Sequence, residues 1–242
     1  MTIDPATRAK AREWLAARET DRYRREQAVE HIYIPRPAAR EITGNRCELY
    51  DVVAATLGDV PLRYLEFGVF SGRSIAEIAR RFPHSQARFF GFDSFEGLPE
   101  AWGDMASTSF TTRGRIPATP DARISFVSGW FQNSLPDFLA AGHVAPGASF
   151  LVHYDADLYS STLFVLSTLW HRVPEYHFIF DEFMSEEIVA LYDFARAYPI
   201  ELEFLCQTNA GGYPSQVFGR LRRVGFAPQR SNDPARCWWI DK

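Results

Sequence analysis

Glu66, Asp93, Asp155, Asp157, Asp181 and Glu182 stand at or just beyond the ends of short apolar runs. A single carboxylate in that position is usually a helix cap or turn former. Repetition at the ends of four such runs is different, because open α/β sheets bind ligands beyond the carboxyl ends of their strands. Acids collected on that edge can hold a hard divalent cation through oxygen, accept a proton, or accept hydrogen bonds from a diol.

The first of these runs leads into Glu66-Phe67-Gly68-Val69-Phe70-Ser71-Gly72-Arg73-Ser74, with the spacing E-x-G-x-x-x-G. Gly68 and Gly72 let backbone approach a ligand closely, with Phe70, Ser71 and Ser74 beside them, and the helix that follows offers free N–H groups. The turn lacks the G-x-G-x-x-G of dinucleotide binders and the G-K-[ST] end of a P-loop, so a pyrophosphate or triphosphate cradle is disfavoured. Asp93, followed by Ser94, ends the second run, where a ribose diol meets an acceptor. Ser128-Gly129-Trp130 after the third run supplies a polar edge and an aromatic plane suited to adenine, although Trp130 fits a core role equally well. An adenosyl ligand is the expectation.

These residues need a scaffold that brings strand ends together. Apolar runs at 62–67, 88–92, 124–127, 150–154 and 178–180 suit strands covered on both faces. They alternate with amphipathic stretches, the pattern of βαβ units around a parallel sheet. Ile75, Ile78, Ala79 and Phe82 form one helical stripe that Pro83 closes. Ser134 with Asp137, and Ser185 before Glu186 and Glu187, read as helix starts. Residues 201–206 and 216–221 read as a hairpin with a long connection, closing the sheet with an antiparallel edge. The fold class is thus α/β and Rossmann-like, mostly parallel, with helices on both faces.

Two segments lie outside that pattern. Residues 1–45 read as a helical arm, broken at Ile34-Pro35-Arg36-Pro37, ahead of a domain spanning 46–242. Residues 94–122 exceed the roughly 12–15 residues of ordinary loops and are expected to act as a lid. Trp102, Phe110 and Tyr23 are candidate pocket walls.

Bulk properties restrict the partners. A chain of 242 residues with a formal charge of −4 supports one core and no field that gathers nucleic acid or an acidic membrane. Its basic cluster, Arg22 to Arg25, is interleaved with acids and reads as a solvated helix face. Cys47, Cys206 and Cys237 form no C-x-x-C pair and read as buried small hydrophobes in a reducing, cytoplasmic setting. No run approaches the roughly 18 apolar residues of a membrane span. A small-molecule partner is expected, and self-association into a homo-oligomer stays open.

Three blocks in order carry a resemblance that covers most of the chain from residue 46 onward. Glu66 to Ser74, Gly91-Phe92-Asp93-Ser94-Phe95-Glu96-Gly97-Leu98-Pro99-Glu100, and Asp155-Ala156-Asp157-Leu158-Tyr159-Ser160-Ser161-Thr162 with Phe180-Asp181-Glu182-Phe183 resemble the macrocin-type sugar O-methyltransferases, a class I family. The resemblance implies that the turn holds the methionine part of S-adenosylmethionine, with Ser74 on its carboxylate and Asp93 on its ribose. It implies Mg²⁺ held by Asp155, Asp181 and Glu182, with Asp157 as general base. Glu182 departs from the Asp usual at that place in the family. His153 reads as a strand-face residue or a further nitrogen donor, and Asp157 doubles as a candidate helix cap.

The implied activity is methyl transfer to a hydroxyl of a small natural product, of sugar or polyketide type. A related reading keeps the fold and cofactor but steers a non-methylating reaction, and product mass separates the two. A nicotinamide-dependent oxidoreductase wants the missing G-x-G-x-x-G. A noncatalytic binding module has no need of four acids at strand ends.

Overall fold

The computed structural model describes residues 20–43, 45–144, 148–210 and 213–225. Cys237 and residues 1–19 of the expected arm lie outside them. Among the described residues the strands are β1 (Glu41–Ile42), β2 (Leu62–Phe67), β3 (Arg88–Asp93), β4 (Ile124–Ser128), β5 (Ser149–Tyr154), β6 (Glu175–Phe180), β7 (Ile200–Ala210) and β8 (Tyr213–Arg223). The helices are α1 (Thr20–Ala28), α2 (Arg46–Leu57), α3 (Arg73–Arg81), α4 (Phe131–Ala140), α5 (Tyr159–Trp170) and α6 (Ile188–Ala197).

One eight-stranded sheet has the order β1-β7-β8-β6-β5-β2-β3-β4. All neighbours are parallel except β8, which runs antiparallel to β6 and β7. From β2 the chain winds outward to β4, then returns to β5 on the other side of β2. Strand order therefore reverses between β2 and β5, and the carboxyl ends of that pair form the crevice where ligands bind in this architecture.

Apolar runs form the central strands because both faces of the sheet are covered. On one face Leu135, Phe138, Leu166, Leu169, Leu191 and Phe194 from α4, α5 and α6 pack on Phe67, Phe92 and Tyr154. On the other, Leu49, Tyr50 and Val53 of α2 and Ile75 and Ile78 of α3 cover Tyr64, Phe89 and Leu151. The α3 stripe thus buries the residues its spacing selects.

Four local expectations change. Helix α4 begins at Phe131, and the Ser134 hydroxyl bonds back to the Trp130 carbonyl at 3.0 Å inside its first turn instead of capping it. Ser185 has non-helical backbone angles inside a π-helical turn, Phe183–Glu187, and its hydroxyl donates to the Glu182 carbonyl before α6 begins. Helix α5 starts after Leu158 with no side-chain cap, so neither Asp157 nor Ser160 nor Ser161 serves there. Strands β7 and β8 extend to Ala210 and from Tyr213, so the expected long connection is mostly strand, and β1 continues the sheet beyond β7 in parallel.

The described part of the arm docks on α6. Arg24 pairs with Asp193 and lies 4.8 Å over the Tyr159 ring, Arg25 pairs with Glu186 at 2.9 Å, and Ala28 and Ile32 enter the core. Arg22, Tyr23 and Arg25 keep the solvated character expected of the cluster, while Arg24 is half-buried against Tyr159 and Asp193. Cys206 is buried as expected, whereas Cys47 is partly exposed. No described helix is long and apolar enough to cross a membrane.

Candidate active site

The turn after β2 is tied down by the acid that ends β3. Asp93 Oδ2 accepts from the Val69 and Phe70 N–H groups, both at 2.8 Å, and Oδ1 accepts from the Phe95 N–H at 2.7 Å. This carboxylate shapes the turn as well as facing the cavity. Phe70 is held at φ 50° and leaves its ring exposed.

Glu66 sits beneath the turn, fully buried. Ser74 donates to its Oε1 at 2.7 Å and Tyr64 donates to its Oε2. His153, the residue paired with Glu66 in the β2–β5 register, places Nδ1 2.7 Å from the Tyr64 hydroxyl and 3.5 Å from Glu66 Oε2. Its Nε2 makes no hydrogen bond and lies 3.6 Å from Asp181 Oδ1. Burial alone would lower the His153 pKa, but Asp181 and Glu66 outweigh it and raise the pKa to about 9.

Asp181 is held from two neighbouring elements. Arg46, at the start of α2, pairs with Oδ2, and Gln216 of β8 donates to Oδ1. Burial pushes Asp181 upward, yet His153, Arg46 and Gln216 together hold it below the ordinary carboxylate range. Burial, then Asp181, pushes Asp155 well above that range. Asp157 rises to about 7 through burial and the neighbouring charges of Glu182 and Asp181. Glu182 rises for the same reasons, burial and then Asp181. Behind them Glu187 is fully buried with Oε1 unbonded, and burial raises it strongly.

Asp93, Asp155, Asp157, Asp181 and Glu182 share one cavity of about 410 Å³ with Arg46. Of the expected residues, Gly68, Phe70, Asp93, Ser94, Trp130, Asp155, Asp157, Asp181 and Glu182 line it. Glu66, Ser71, Gly72, Ser74, Ser128 and Gly129 do not. Glu66 and Ser74 instead bond each other below the turn, and Gly72 is the left-handed residue from which α3 starts. His153, Asp155 and Asp181 each present a ligand atom within 4.8 Å of the others, while Glu182 stands outside that group with an exposed side chain.

The segment from 94 onward forms the outer wall. Its backbone closes on itself through Leu98 N–H to Ser107 O at 2.7 Å and Gly114 N–H to Phe95 O at 2.9 Å. Ser160 of α5 donates to Glu100 at 2.6 Å and ties the loop across the cavity. Trp102 and Phe110 line the cavity as expected of walls, whereas Tyr23 is exposed and does not. Arg46 and Gln132 are lining residues that sequence reasoning missed. For Arg46 a signal existed: Asn45 with Glu48 three residues on marks a helix start, and the Asn45 side chain accepts from the Cys47 N–H at 2.8 Å.

Residues 65–180 match the family described as a methyltransferase domain. The match runs from β2 to the end of β6, so it contains Glu66, Asp93, Asp155 and Asp157 and stops before Asp181. The chain also aligns with the structure of the O-methyltransferase NovP at a TM-score of 0.50 and 21% identity, covering 74% of this chain and 80% of that one. The likeness is one of fold. CalS11, a TDP-rhamnose 3′-O-methyltransferase of calicheamicin biosynthesis, aligns at a TM-score of 0.47 and 20% identity, over 93% of this chain and 97% of its own. No curated protein sequence matches the chain. The acids that follow β5 and β6 adjoin the crevice between β2 and β5 in the same cavity.

Proposed function

We propose that this protein is an S-adenosylmethionine-dependent O-methyltransferase that acts on a hydroxyl of a small natural product. One observation carries the reading: the turn at Gly68 to Phe70, the diol acceptor Asp93, and the carboxylates Asp155, Asp157, Asp181 and Glu182 line a single cavity. Its size and mixed polar and apolar lining suit a small ligand.

In this reading Gly68, Phe70, Asp93, Ser94 and Trp130 seat the cosubstrate, with Asp93 on the ribose. Glu66 and Ser74 act one layer below, holding the turn in shape. In the same reading the loop at 94–122, through Gly97, Trp102, Met105 and Phe110, frames the acceptor side of the catalytic domain, 46–242.

The donor set fits a divalent cation. Asp155 and Asp181 offer oxygen ligands close together, and Glu182 follows on the cavity wall. The upward pKa shifts of Asp155, Asp157 and Glu182 come first from burial and then from neighbouring carboxylates, and a cation at this place would offset both. Asp155, Asp181 and Glu182 would hold Mg²⁺, which supplies charge that orients a hydroxyl oxygen and makes it easier to deprotonate.

Asp157 takes the proton from the acceptor hydroxyl. S-adenosylmethionine, when bound, would supply the methyl group to that oxygen, its sulfur leaving with the carbon–sulfur electron pair as a thioether. The turn aligns the two reactants, and proximity supplies much of the rate. Arg46 holds Asp181 in place from the rim.

Calorimetry with S-adenosylhomocysteine, with and without Mg²⁺, followed by mass spectrometry of acceptor mixtures, tests the reading. The expected result is nucleoside binding and products heavier by one methyl group. No binding of the nucleoside overturns it, and binding without any methylated product from known acceptors favours a non-methylating role.

A further inference from the structure

The outer wall of the cavity carries three aromatic rings in an arrangement that core packing does not call for. Phe70 and Phe110 both hold left-handed backbone, at φ 50° and 60°. Such strain in a bulky residue persists only where the surroundings over-determine it, and it concentrates at ligand sites. Both rings remain 46% and 40% exposed. They meet edge to face at 6.1 Å, and Trp102 stands 6.5 Å from Phe110. Trp102 is itself fixed by paired backbone hydrogen bonds with Met105, at 3.0 and 2.8 Å.

Leu98, Pro99 and Met105 line the cavity with these rings, and of the side chains this segment brings to it only Ser94 and the Trp102 indole N–H are polar. Asp155, Asp157, Asp181 and Glu182 line the same cavity. A saturated sugar sets only the few C–H groups of one face against such rings, with its hydroxyls directed outward at the rim. A planar aromatic ring gains dispersion and quadrupole contacts from fixed rings, and rings already held in place lose little further freedom on binding.

We infer that Trp102 and Phe110, backed by Phe70 of the cosubstrate turn, form the specificity platform for the acceptor, and that the acceptor is an aryl alcohol whose ring rests on Trp102 and Phe110. This deepens the methyl-transfer reading and rests on it. The ring-borne oxygen gives its proton to Asp157 and receives the methyl group from the sulfonium, which leaves as the thioether.

The test uses the full chain loaded with S-adenosylhomocysteine and Mg²⁺. A naphthalenediol and methyl glucoside are titrated separately by calorimetry against wild type, Phe110→Leu and Trp102→Leu, with circular dichroism as the folding control. The diol is expected to bind wild type and to bind each variant about five- to tenfold more weakly, the loss of one aromatic contact. Nucleoside affinity is expected to stay unchanged, and the glucoside not to bind. Absence of diol binding, equal diol affinity in wild type and both variants, or preference for the glucoside overturns the platform while leaving methyl transfer standing. Failure of the nucleoside to bind wild type removes the methyl-transfer reading and this acceptor class with it.

Discussion

Gly68 lies against the backbone of Asp155: a β-carbon added to Gly68 would sit 1.8 Å from the Asp155 carbonyl oxygen. The two residues end β2 and β5, the strands on either side of the reversal in strand order, and Asp155 N–H donates to Phe67 O at 2.9 Å. Gly68 also holds φ 100°, which side chains disfavour. The motif glycine is therefore required by strand packing before any ligand arrives. Gly68→Ala is expected to cost about 3 kcal/mol or more, through clash and strain together. Urea denaturation checks this, and a variant with the wild-type midpoint would show that the strand ends can part freely.

Much of this was legible in the sequence, and the losses have a common cause. The central strands follow from apolar runs, because burial on both faces leaves no other pattern. Asp93, Asp155, Asp157, Asp181 and Glu182 follow from their places at strand ends. What local spacing does not reveal is register. Glu66 and Ser74 look like ligand contacts until the β2–β5 register sets His153 opposite Glu66 and the pair turns inward with Tyr64. Arg46 reaches Asp181 across 135 positions of sequence, a contact that only tertiary packing creates. The loop at 94–122 was readable as exceptional from its length, but its closure through Leu98 and Ser107 depends on tertiary hydrogen bonding.

Asp157 permits an unusually clean substitution. It holds φ 59°, a left-handed state that Asn adopts as readily as Asp, and its side chain caps no helix. Asp157→Asn should therefore keep the fold and remove only the proton acceptor. The expected outcome is a fall in kcat of at least about 10²-fold with S-adenosylhomocysteine affinity unchanged. Full turnover in the variant, with any acceptor that wild type methylates, would assign the base elsewhere.

Arg123 fastens the end of α3 to β4. Its guanidinium donates to the carbonyls of Ala79 at 3.0 Å and of Phe82, and pairs with Asp121. The Arg123 hydrogen bond holds the Asp121 carboxyl below its ordinary range. A carboxylate depressed by folding stabilises above its unfolded value, and that contribution is lost as pH falls through the folded one. Wild-type stability is thus expected to decline as the pH drops below about 4, and Asp121→Asn to remove part of that decline. Arg123→Met, which leaves the helix-end carbonyls without this donor at every pH, should cost roughly 2 kcal/mol. Thermal unfolding measured between acid and neutral pH separates the two effects.

Gly97 offers a way to move the aromatic wall without touching it. It holds φ 109°, and a β-carbon there would lie 2.4 Å from the Ser107 carbonyl oxygen, the group that accepts from the Leu98 N–H at 2.7 Å. Gly97→Ala must spread the neck of the loop, and Trp102, Met105 and Phe110 ride on the portion displaced. The loop stands outside the two core clusters, so the stability loss is expected to be about 1 kcal/mol. Because the cosubstrate is seated by β2, β3 and the turn, its affinity should hold, while acceptor KM rises about tenfold, equivalent to 1.4 kcal/mol of lost acceptor contact. An unchanged acceptor KM would mean that the loop frames the cavity without gripping what enters it.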